Sequence, residues 1–130
     1  MKTLIPILFL LLNFTCRAQT QAEMNHEAFD LYKNADKELN EMYDEILIAY
    51  AEDEIFISNL KKAQNLWIQF RDAELSMKFP NYPDNHFGSL LPMCKAYFLK
   101  ELTEERTESL SAWLDTKEPD PCNHGSVKDQ

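Results

Sequence analysis

Residues 21–77 read QAEMNHEAFDLYKNADKELNEMYDEILIAYAEDEIFISNLKKAQNLWIQFRDAELSM, and this stretch contains neither glycine nor proline. Because those two residues are the usual interrupters of regular structure, helix is the natural state of the whole stretch. Its apolar residues recur in steps of three and four, as they do along one face of a helix. The stripe consists of Met24, Ala28, Leu31, Ala35, Leu39, Met42, Ile46 and Ala49, followed by Phe56, Leu60, Ala63, Trp67, Phe70 and Met77.

This stripe by itself is compatible with one unbroken helix of about 55 residues, over about 80 Å in length. The sequence at residues 51–54 (AEDE) favours a break, since Asp53 is a good N-cap and Glu54 suits the start of a helix. A hairpin also lets the two halves of the stripe bury each other within one molecule. We therefore expect two antiparallel helices that meet near residues 51–54.

The chain after the hairpin is predicted to form a loop and a third helix. Two prolines and Gly88 lie within residues 79–90, which is typical of a loop. A helix should follow from about Ser89 to Asp115, with Pro92 tolerated in its first turn. Its apolar face comprises Leu91, Cys94, Phe98, Leu102, Leu110 and Trp113. The sequence thus predicts an all-α fold, a three-helix and mostly antiparallel bundle.

The first eighteen residues have the pattern of a secretory signal peptide. A short cationic start at Met1–Thr3 precedes the almost wholly apolar run Leu4–Leu12. An apolar run of roughly 10 residues is too short to span a bilayer as a helix but suits the central region of a signal peptide. We therefore expect an exported protein whose signal peptide is residues 1–18.

The cleavage site follows from the small residues near the end of this segment. Cys16 and Ala18 lie three and one positions before Gln19, as in an A-x-A-like site, so the mature chain should begin at Gln19. Lipid attachment at Cys16 is the disfavoured alternative, because residues 13–15 do not resemble the lead of a lipoprotein signal. No other stretch is long and apolar enough to span a membrane.

The remaining chain is expected to be one domain at residues 19–115 with a flexible C-terminal tail at residues 116–130. A length of 130 residues is too short for two ordinary cores. Pro119, Pro121 and Gly125 end regular structure in the tail.

The charge balance excludes one class of partner. The chain has 22 acidic against 13 basic residues, a net charge of −9, whereas nucleic-acid binding needs clustered Lys and Arg. Removal of residues 1–18 leaves 11 basic against 22 acidic residues, a balance of −11. Two glycines are too few for a turn-rich β-sandwich and exclude a Gly-rich phosphate loop.

Signatures of enzymes, metals and cofactors are missing from the sequence. His26, His86 and His124 lie far apart, and the segment around His26 lacks the second histidine of a zinc-binding helix. No Gly-x-Ser-x-Gly motif occurs. We expect no catalytic residues, no metal and no cofactor.

Two cysteines remain after the signal peptide, Cys94 and Cys122. An even number in an oxidising compartment favours one disulfide that ties the C-terminal tail back to the third helix. The alternative is two separate thiols.

Polar residues at helical spacing form two clusters on the hairpin. Asp36, Leu39, Asn40 and Tyr43 share one face of the first helix, and Gln64, Trp67, Ile68 and Arg71 repeat that spacing on the second. If these faces meet, Asp36 or Tyr43 would pair with Arg71, and Asn40 with Gln64. The cluster is either a polar pocket or an interhelical network that fixes register, and the network is favoured because a thin bundle leaves little room for a cleft.

The segment 79–88 (FPNYPDNHFG), here called the aromatic loop, is the better candidate for a binding surface. It combines aromatic and polar side chains on a segment stiffened by two prolines, which suits insertion into a partner's cleft. The candidate contacts are Phe79, Tyr82, Asp84, Asn85, His86 and Phe87. The alternative is that the aromatic side chains Phe79, Tyr82 and Phe87 fold back and close the end of the core.

Three segments resemble the LprI-like lysozyme-inhibitor family. Residues 36–43 (DKELNEMY) resemble its aD-x-x-LN-x-x-Y signature, and residues 60–74 (LKKAQNLWIQFRDAE) resemble its L-k-x-a-Q-x-x-W-x-x-[FY]-R-D-a-E segment. Cys94, followed by residues 102–110 (LTEERTESL), matches the closing C…LT-x-x-R-x-x-x-L. The similarity covers about residues 21–114, and three ordered motifs make it specific.

The resemblance implies an exported α-helical protein and, for some members, inhibition of lysozyme. Its motif residues are expected to hold the scaffold: Asp36, Leu39, Asn40, Tyr43, Gln64, Trp67, Arg71, Asp72, Thr103 and Arg106. The family often has a cysteine near the position of His26 and another where this chain has Leu75. Cys94 therefore lacks its usual partner, which leaves Cys122 as the substitute.

Two hypotheses for function follow. The first is an exported protein-binding module that inhibits lysozyme-type muramidases by surface occlusion, through the aromatic loop and nearby acids. A strongly negative chain would be steered toward a basic lysozyme, although the same charge also serves solubility. The second is an envelope-associated interaction protein without lysozyme activity.

Overall fold

The computed structural model describes residues 19–115 and forms three α-helices. The helices are α1 (Gln21–Ala49), α2 (Glu54–Lys78) and α3 (Leu91–Ser111), with one turn of 3₁₀ helix, Gly88–Leu90, directly before α3. The described part of the chain contains no strand, so the predicted all-α fold is confirmed.

The two ends of the chain lie outside the described residues. The expected signal peptide (residues 1–18), the alternative lipid site at Cys16 and the tail (residues 116–130) with Cys122 therefore stay predictions. Within residues 19–115, no helix is long and apolar enough to cross a membrane.

The starts of α1 and α3 follow local helix chemistry. The Thr20 hydroxyl accepts the Glu23 N–H at 3.2 Å, and the Glu23 carboxylate accepts the Thr20 N–H at 2.9 Å. This reciprocal pair is a capping box, which satisfies two backbone donors at the helix start. Pro92 lies in the first turn of α3, where the missing N–H of proline has no helical acceptor to lose.

The predicted break between the first two helices is confirmed. α1 ends at Ala49 and α2 begins at Glu54, with Asp53 as its N-cap. The Asp53 carboxylate accepts the Phe56 N–H at 2.9 Å, which satisfies one of the first amide donors of α2. Three residues after Tyr50 thus suffice to reverse the chain.

Two hydrogen bonds between distant parts of the chain fix the direction of α3 relative to α1. Near the start of both helices, the Asn25 amide donates to the Ser89 carbonyl at 3.4 Å. At their far ends, the Tyr50 hydroxyl donates to the Trp113 carbonyl at 2.9 Å. α1 and α3 are therefore parallel. α2, which lies between them in sequence, runs antiparallel to both. The predicted three-helix, mostly antiparallel bundle is confirmed.

The core lies toward the end of the bundle where α1 turns into α2. Its buried members are Leu39 and Ile46 of α1, Tyr50 directly after α1, Leu60 of α2 and Leu110 of α3. Elsewhere, α3 packs more extensively on α1 than on α2. The buried residues of this pair include the small side chains of Ala28, Ala35 and Ala96, which allow two helix axes to approach closely.

The sequence-based face of α2 is partly wrong. Three residues assigned to the apolar stripe are exposed: Ala63, Phe70 and Met77. The inward face instead passes through Leu60, Gln64 and Trp67. Gln64 can occupy a core position because its side chain is hydrogen-bonded inside the bundle. The apolar pattern of the sequence therefore predicts the wrong face of α2 as the buried one. In α1, Leu31 and Ala49 are likewise exposed rather than buried.

Tyr50 joins all three helices at this end of the bundle. Its ring stacks on Phe56 at a centroid distance of 4.1 Å, and Phe56 in turn lies 5.3 Å from Trp113. Only 4% of Tyr50 is exposed, and this burial, with a smaller contribution from the Asp53 carboxylate, raises the pKa of its phenol. The neutral hydroxyl is therefore the form that the folded protein stabilises.

Replacement of Tyr50 by Phe should remove the donor to the Trp113 carbonyl and leave that carbonyl unpaired. We expect the free energy of unfolding to fall by about 1–2 kcal/mol, measured by urea denaturation. The contribution of the neutral phenol is complete below its unfolded pKa of about 10 and is lost as pH rises through the higher folded value. The wild type should therefore lose more stability than Tyr50→Phe between about pH 9 and pH 11.

Tyr97→Phe provides the matched control, because Tyr97 is exposed on α3. Its unfolding curve should coincide with that of the wild type. Equal stability of Tyr50→Phe and the wild type at neutral pH would contradict the role given to the Tyr50 hydroxyl.

Candidate functional site

Phe79 of the aromatic loop folds back onto α3, and Phe87 packs on Phe79. The Phe79 ring lies 5.7 Å from Phe87 and 6.2 Å from Phe98 of α3, in edge-to-face geometry in both cases. Phe79 and Phe87 are half-buried. Edge-to-face pairs at these distances are favourable beyond the area they bury. These two rings therefore serve as the base of the loop and close this end of the bundle, as the fold-back alternative expects for them.

A lysine strengthens this base. The Lys78 ammonium lies 4.0 Å from the centroid of the Phe98 ring and 5.9 Å from that of Phe79. A cation over an aromatic face is attracted by the ring quadrupole. Lys78 is the last residue of α2, so the contact links the helix end to α3 across the loop.

The other side chains of the loop face outward. Tyr82 is 54% exposed, and Asp84, Asn85 and His86 are exposed as well. The Tyr82 ring stacks against Phe87 at 6.1 Å, while the imidazole of His86 meets the same two rings edge-on. The candidate contacts thus divide into an inner pair, Phe79 and Phe87, and an outer group that packs on this pair or faces solvent. The outer group comprises Tyr82, Asp84, Asn85 and His86.

The backbone of the loop is held in a specific conformation. Asp84 and Asn85 both adopt positive φ, 62° and 52°, a left-handed region that Asp and Asn tolerate better than most residues. The Gly88 N–H donates to the Asn85 carbonyl at 2.8 Å, and the Tyr82 N–H donates to the Pro80 carbonyl at 2.8 Å. A loop fixed in this way loses little conformational entropy when it binds.

The outer residues surround a shallow depression. Its volume is about 420 Å³, and it is lined by Tyr82, Pro83, Asp84 and His86. It opens broadly to solvent, whereas sites for small molecules enclose most of the ligand surface.

A second cluster lies between α2 and α3, where Trp67 is flanked by two guanidinium groups. Arg71 lies 5.4 Å and Arg106 lies 6.0 Å from the Trp67 ring. The Arg106 Nε–H donates to the Gln64 side-chain oxygen at 3.0 Å, and 9% of Gln64 is exposed. We call these four residues the Trp67 cluster.

Burial has different consequences for the two arginines. Arg71 donates from Nε and Nη2 to the Asp72 carboxylate at 2.9 and 2.8 Å, so its charge is neutralised by its sequence neighbour. Arg106 has a neutral amide as its hydrogen-bond partner, and burial lowers the pKa of its guanidinium. A half-buried cation of this kind depends on the faces of nearby rings for stabilisation.

The side-chain pairs predicted between α1 and α2 are wrong. Arg71 pairs with Asp72 rather than with Asp36 or Tyr43. The charge of Arg71 nevertheless influences a residue of α1, Tyr32. Burial raises the pKa of the Tyr32 phenol, and the positive charge of Arg71 opposes this rise. The carboxylates of Asp36 and Asp72 raise the same pKa further. Tyr32 was not among the site residues expected from the sequence, yet charged groups of both α1 and α2 influence its phenol.

The remaining motif residues serve their own helices. The Asn40 amide donates to the Asp36 carbonyl at 2.8 Å and to its carboxylate at 3.3 Å, so the expected Asn40–Gln64 pair is wrong. Burial and the neighbouring Asp44 raise the pKa of Tyr43, which packs against the core that contains Leu39.

Thr103 has no exposed surface, and its hydroxyl donates to the Leu99 carbonyl one turn earlier in α3 at 2.7 Å. Its small side chain can lie in the α1–α3 contact because that bond satisfies the hydroxyl. Cys94 is half-buried on α3, and its predicted bridge to Cys122 stays a prediction because Cys122 is outside the described residues.

Two further residues of the site escaped the sequence analysis. Lys78 gave no signal, because a lysine at the end of a helix is common. Tyr32 lies four residues before Asp36, so helical spacing places it on the face that was singled out. Phe98 was assigned to the inner face of α3, but its partnership with the loop depends on the fold.

The described residues contain no group of three or more His, Cys, Asp and Glu side chains that could hold a metal ion. The Trp67 cluster fixes α2 against α3, and the aromatic loop presents a phenol, an imidazole and a carboxylate on a rigid base.

Replacement of Trp67 by Ala should remove the ring on which both guanidinium groups rest and part of the core packing. We expect the free energy of unfolding to fall by about 2–4 kcal/mol. For a domain of this size that loss lowers the melting temperature by roughly 10 °C or more, measured by circular dichroism.

Ile55→Ala is the control on the same helix, because Ile55 is 78% exposed. Its free energy of unfolding should stay within about 0.5 kcal/mol of the wild type. Arg106→Lys should be intermediate, since it keeps the charge and loses the bond to Gln64. An unchanged melting temperature for Trp67→Ala would rule out a scaffold role for the cluster.

Comparison with known proteins identifies a family and a relative. A family model described as "Lysozyme inhibitor LprI" matches residues 15–110. An uncharacterised protein from Rhizobium meliloti (strain 1021), R02472, is 30% identical over 115 residues, which cover 79% of this chain and 81% of the relative. No solved structure matches the chain.

Proposed function

Because this chain belongs to the LprI lysozyme-inhibitor family, we propose that it binds a lysozyme-type muramidase and inhibits it by surface occlusion. The chain would contribute no catalytic step of its own. The aromatic loop would be the contact surface, and the bundle would hold that loop in its binding conformation.

The observation that carries this proposal is the exposure of Tyr82 on a fixed aromatic base. Tyrosine is one of the residues that dominate binding energy at protein interfaces. Here its ring is half exposed while Phe79 and Phe87 hold the segment beneath it against α3. Since the loop is already ordered, little entropy is lost when a partner binds, and more of the contact energy contributes to affinity.

Charge supports a basic partner. The chain carries a net charge of −9, and −11 without residues 1–18. An exposed carboxylate, Asp84, lies beside Tyr82 in the lining of the depression. Opposite charge accelerates encounter and orients the partners, and salt weakens both effects. Inhibition should therefore decrease as ionic strength increases.

The proposal includes export, because a muramidase inhibitor must meet its target outside the cytoplasm. The expected signal peptide at residues 1–18 would supply the route, with release at Gln19 favoured over lipid attachment at Cys16. The proposal places the exported protein either in the periplasm or outside the cell.

The test is the clearing of a bacterial cell-wall suspension by a basic lysozyme, followed by turbidity at low salt. The purified protein in molar excess should slow the clearing. Tyr82→Ala combined with Asp84→Asn should weaken inhibition at least roughly tenfold, because it removes the aromatic anchor and the adjacent charge. Asn at position 84 retains the tolerance for the left-handed backbone that Ala lacks.

The matched control is Tyr97→Ala combined with Glu105→Gln, which makes the same change in charge and aromatic content at exposed positions of α3. This control should inhibit like the wild type, and both double variants should keep their helical circular dichroism. Absence of inhibition by the wild type at large excess would refute the proposal and favour an envelope-associated interaction protein.

A further inference from the structure

α2 carries a second apolar face that the bundle does not use. It consists of exposed residues at alternating steps of four and three: Asn59, Ala63, Leu66, Phe70, Ala73 and Met77. We call this set the outer seam. Its three large members, Leu66, Phe70 and Met77, are 55, 54 and 68% exposed, and no part of the chain between residues 19 and 115 covers them.

The outer seam is distinct from the core face of α2. At about 100° per residue, the centre of the outer seam lies roughly 110° around the axis from the centre of the inward face, and Phe70 lies about 60° from Trp67. The inward face already contains Leu60, Gln64 and Trp67. The outer seam therefore adjoins the inward face on one side and extends well beyond it.

The spacing of the seam indicates the kind of surface that fits it. Strict alternation of three and four gives a narrow line of apolar residues every 3.5 positions, which is the pattern of one helix packed against another in a coiled coil. None of the six residues is charged, although the chain as a whole carries −9. The partner should therefore be a neutral apolar helix of the same spacing.

We propose that the outer seam pairs with the outer seam of a second copy, so that two α2 helices lie antiparallel across a twofold axis. A twofold interface requires a self-complementary surface. With the axis midway between Leu66 and Phe70, Leu66 meets Phe70 of the second copy and Ala63 meets Ala73. Large side chains then meet large ones at the centre, and small ones meet small ones on either side.

The residues that flank the seam agree with this arrangement. The flanking pairs are offset by one position from the layers of the seam, so Gln69 lies nearest to Gln69 of the second copy, and Lys62 lies nearest to Ser76. No pair of like charges is brought together along this side.

If the expected cleavage before Gln19 removes the apolar run Leu4–Leu12, the chain's own remaining candidate occupant is its C-terminal segment. Residues 116–130 (TKEPDPCNHGSVKDQ) contain Val127 as their single large aliphatic residue. They cannot supply a line of apolar side chains to match Leu66, Phe70 and Met77. The composition therefore favours a second copy.

Sedimentation equilibrium of the purified protein, in the form that the cell produces, tests the proposal across about 1 μM to 1 mM. We expect a monomer–dimer equilibrium that shifts toward dimer as salt increases, because two copies of net negative charge repel each other. Phe70→Glu should raise the dissociation constant roughly a hundredfold or more, since the twofold axis places the new charge in two apolar layers. A monomer at all concentrations would overturn the proposal.

Ile48→Glu is the matched control, because Ile48 is 76% exposed on α1 and lies off the seam. It should dimerise like the wild type, and both variants should keep their helical circular dichroism. For the register, a mixture of Ala63→Cys and Ala73→Cys proteins should form a 63–73 disulfide between copies, mapped by mass spectrometry. A 63–63 disulfide, or none at either position, would overturn the antiparallel register.

This inference does not depend on the proposed function, and the two can fail separately. Dimerisation should strengthen with salt, whereas inhibition of a basic lysozyme should weaken. Phe70→Glu should therefore inhibit lysozyme at low salt as well as the wild type does. Loss of inhibition by Phe70→Glu together with a monomeric wild type would assign the seam to another protein and refute its pairing with a second copy.

Discussion

The reversal of the chain between Tyr50 and Asp53 is the constraint on which the rest of the structure depends. The apolar spacing passes through this segment without interruption, so hydrophobic burial alone would permit a single long helix. The Asp53 carboxylate satisfies the Phe56 amide at 2.9 Å and starts a new helix at that point. Because α2 then returns along α1, the two halves of the chain can share one core, and the Tyr50 hydroxyl ties the end of α3 to the same corner.

The position of the aromatic loop follows from this arrangement. α2 ends at Lys78, close enough to α3 for Lys78 and Phe79 to contact the Phe98 ring. The aromatic loop therefore begins on a fixed point and returns to α3 within a short distance, and Phe87 completes its base. The Trp67 cluster, halfway along α2, keeps α2 and α3 in register through Gln64 and Arg106. The contacts between α2 and α3 therefore stabilise the bundle and also fix the conformation of the aromatic loop.

The sequence was sufficient for the fold class, the helix break and the location of the loop, because those features depend on local chemistry: Asp53 as a cap, Pro80 and Pro83 as helix interrupters, and apolar spacing in between. It was not sufficient for the inward face of α2. Gln64 is buried there because Arg106, 42 residues later, satisfies its oxygen, and no local pattern reveals such a partner. Phe70 and Met77 were predicted to lie in the core because they continue the apolar spacing, but both are exposed.

The candidate site was only partly accessible from sequence. All six proposed contacts lie in one loop, but their division into an inner pair and an outer group depends on Phe98, which is distant in sequence. Similarly, Arg71 could have paired with several acids at helical spacing, and the structure pairs it with Asp72 beside it. Spacing identifies which residues share a face, whereas the partner of each is set by packing between helices.

The most direct test of the account is hydrogen exchange of the protein, alone and with a basic lysozyme, followed by mass spectrometry of peptides. If the aromatic loop is the contact surface on a rigid bundle, peptides that cover residues 79–88 should exchange more slowly in the complex, while those from α1 keep the rates of the free protein. Slower exchange confined to the outer seam of α2, or unchanged rates throughout residues 79–88 when lysozyme is saturating, would contradict it.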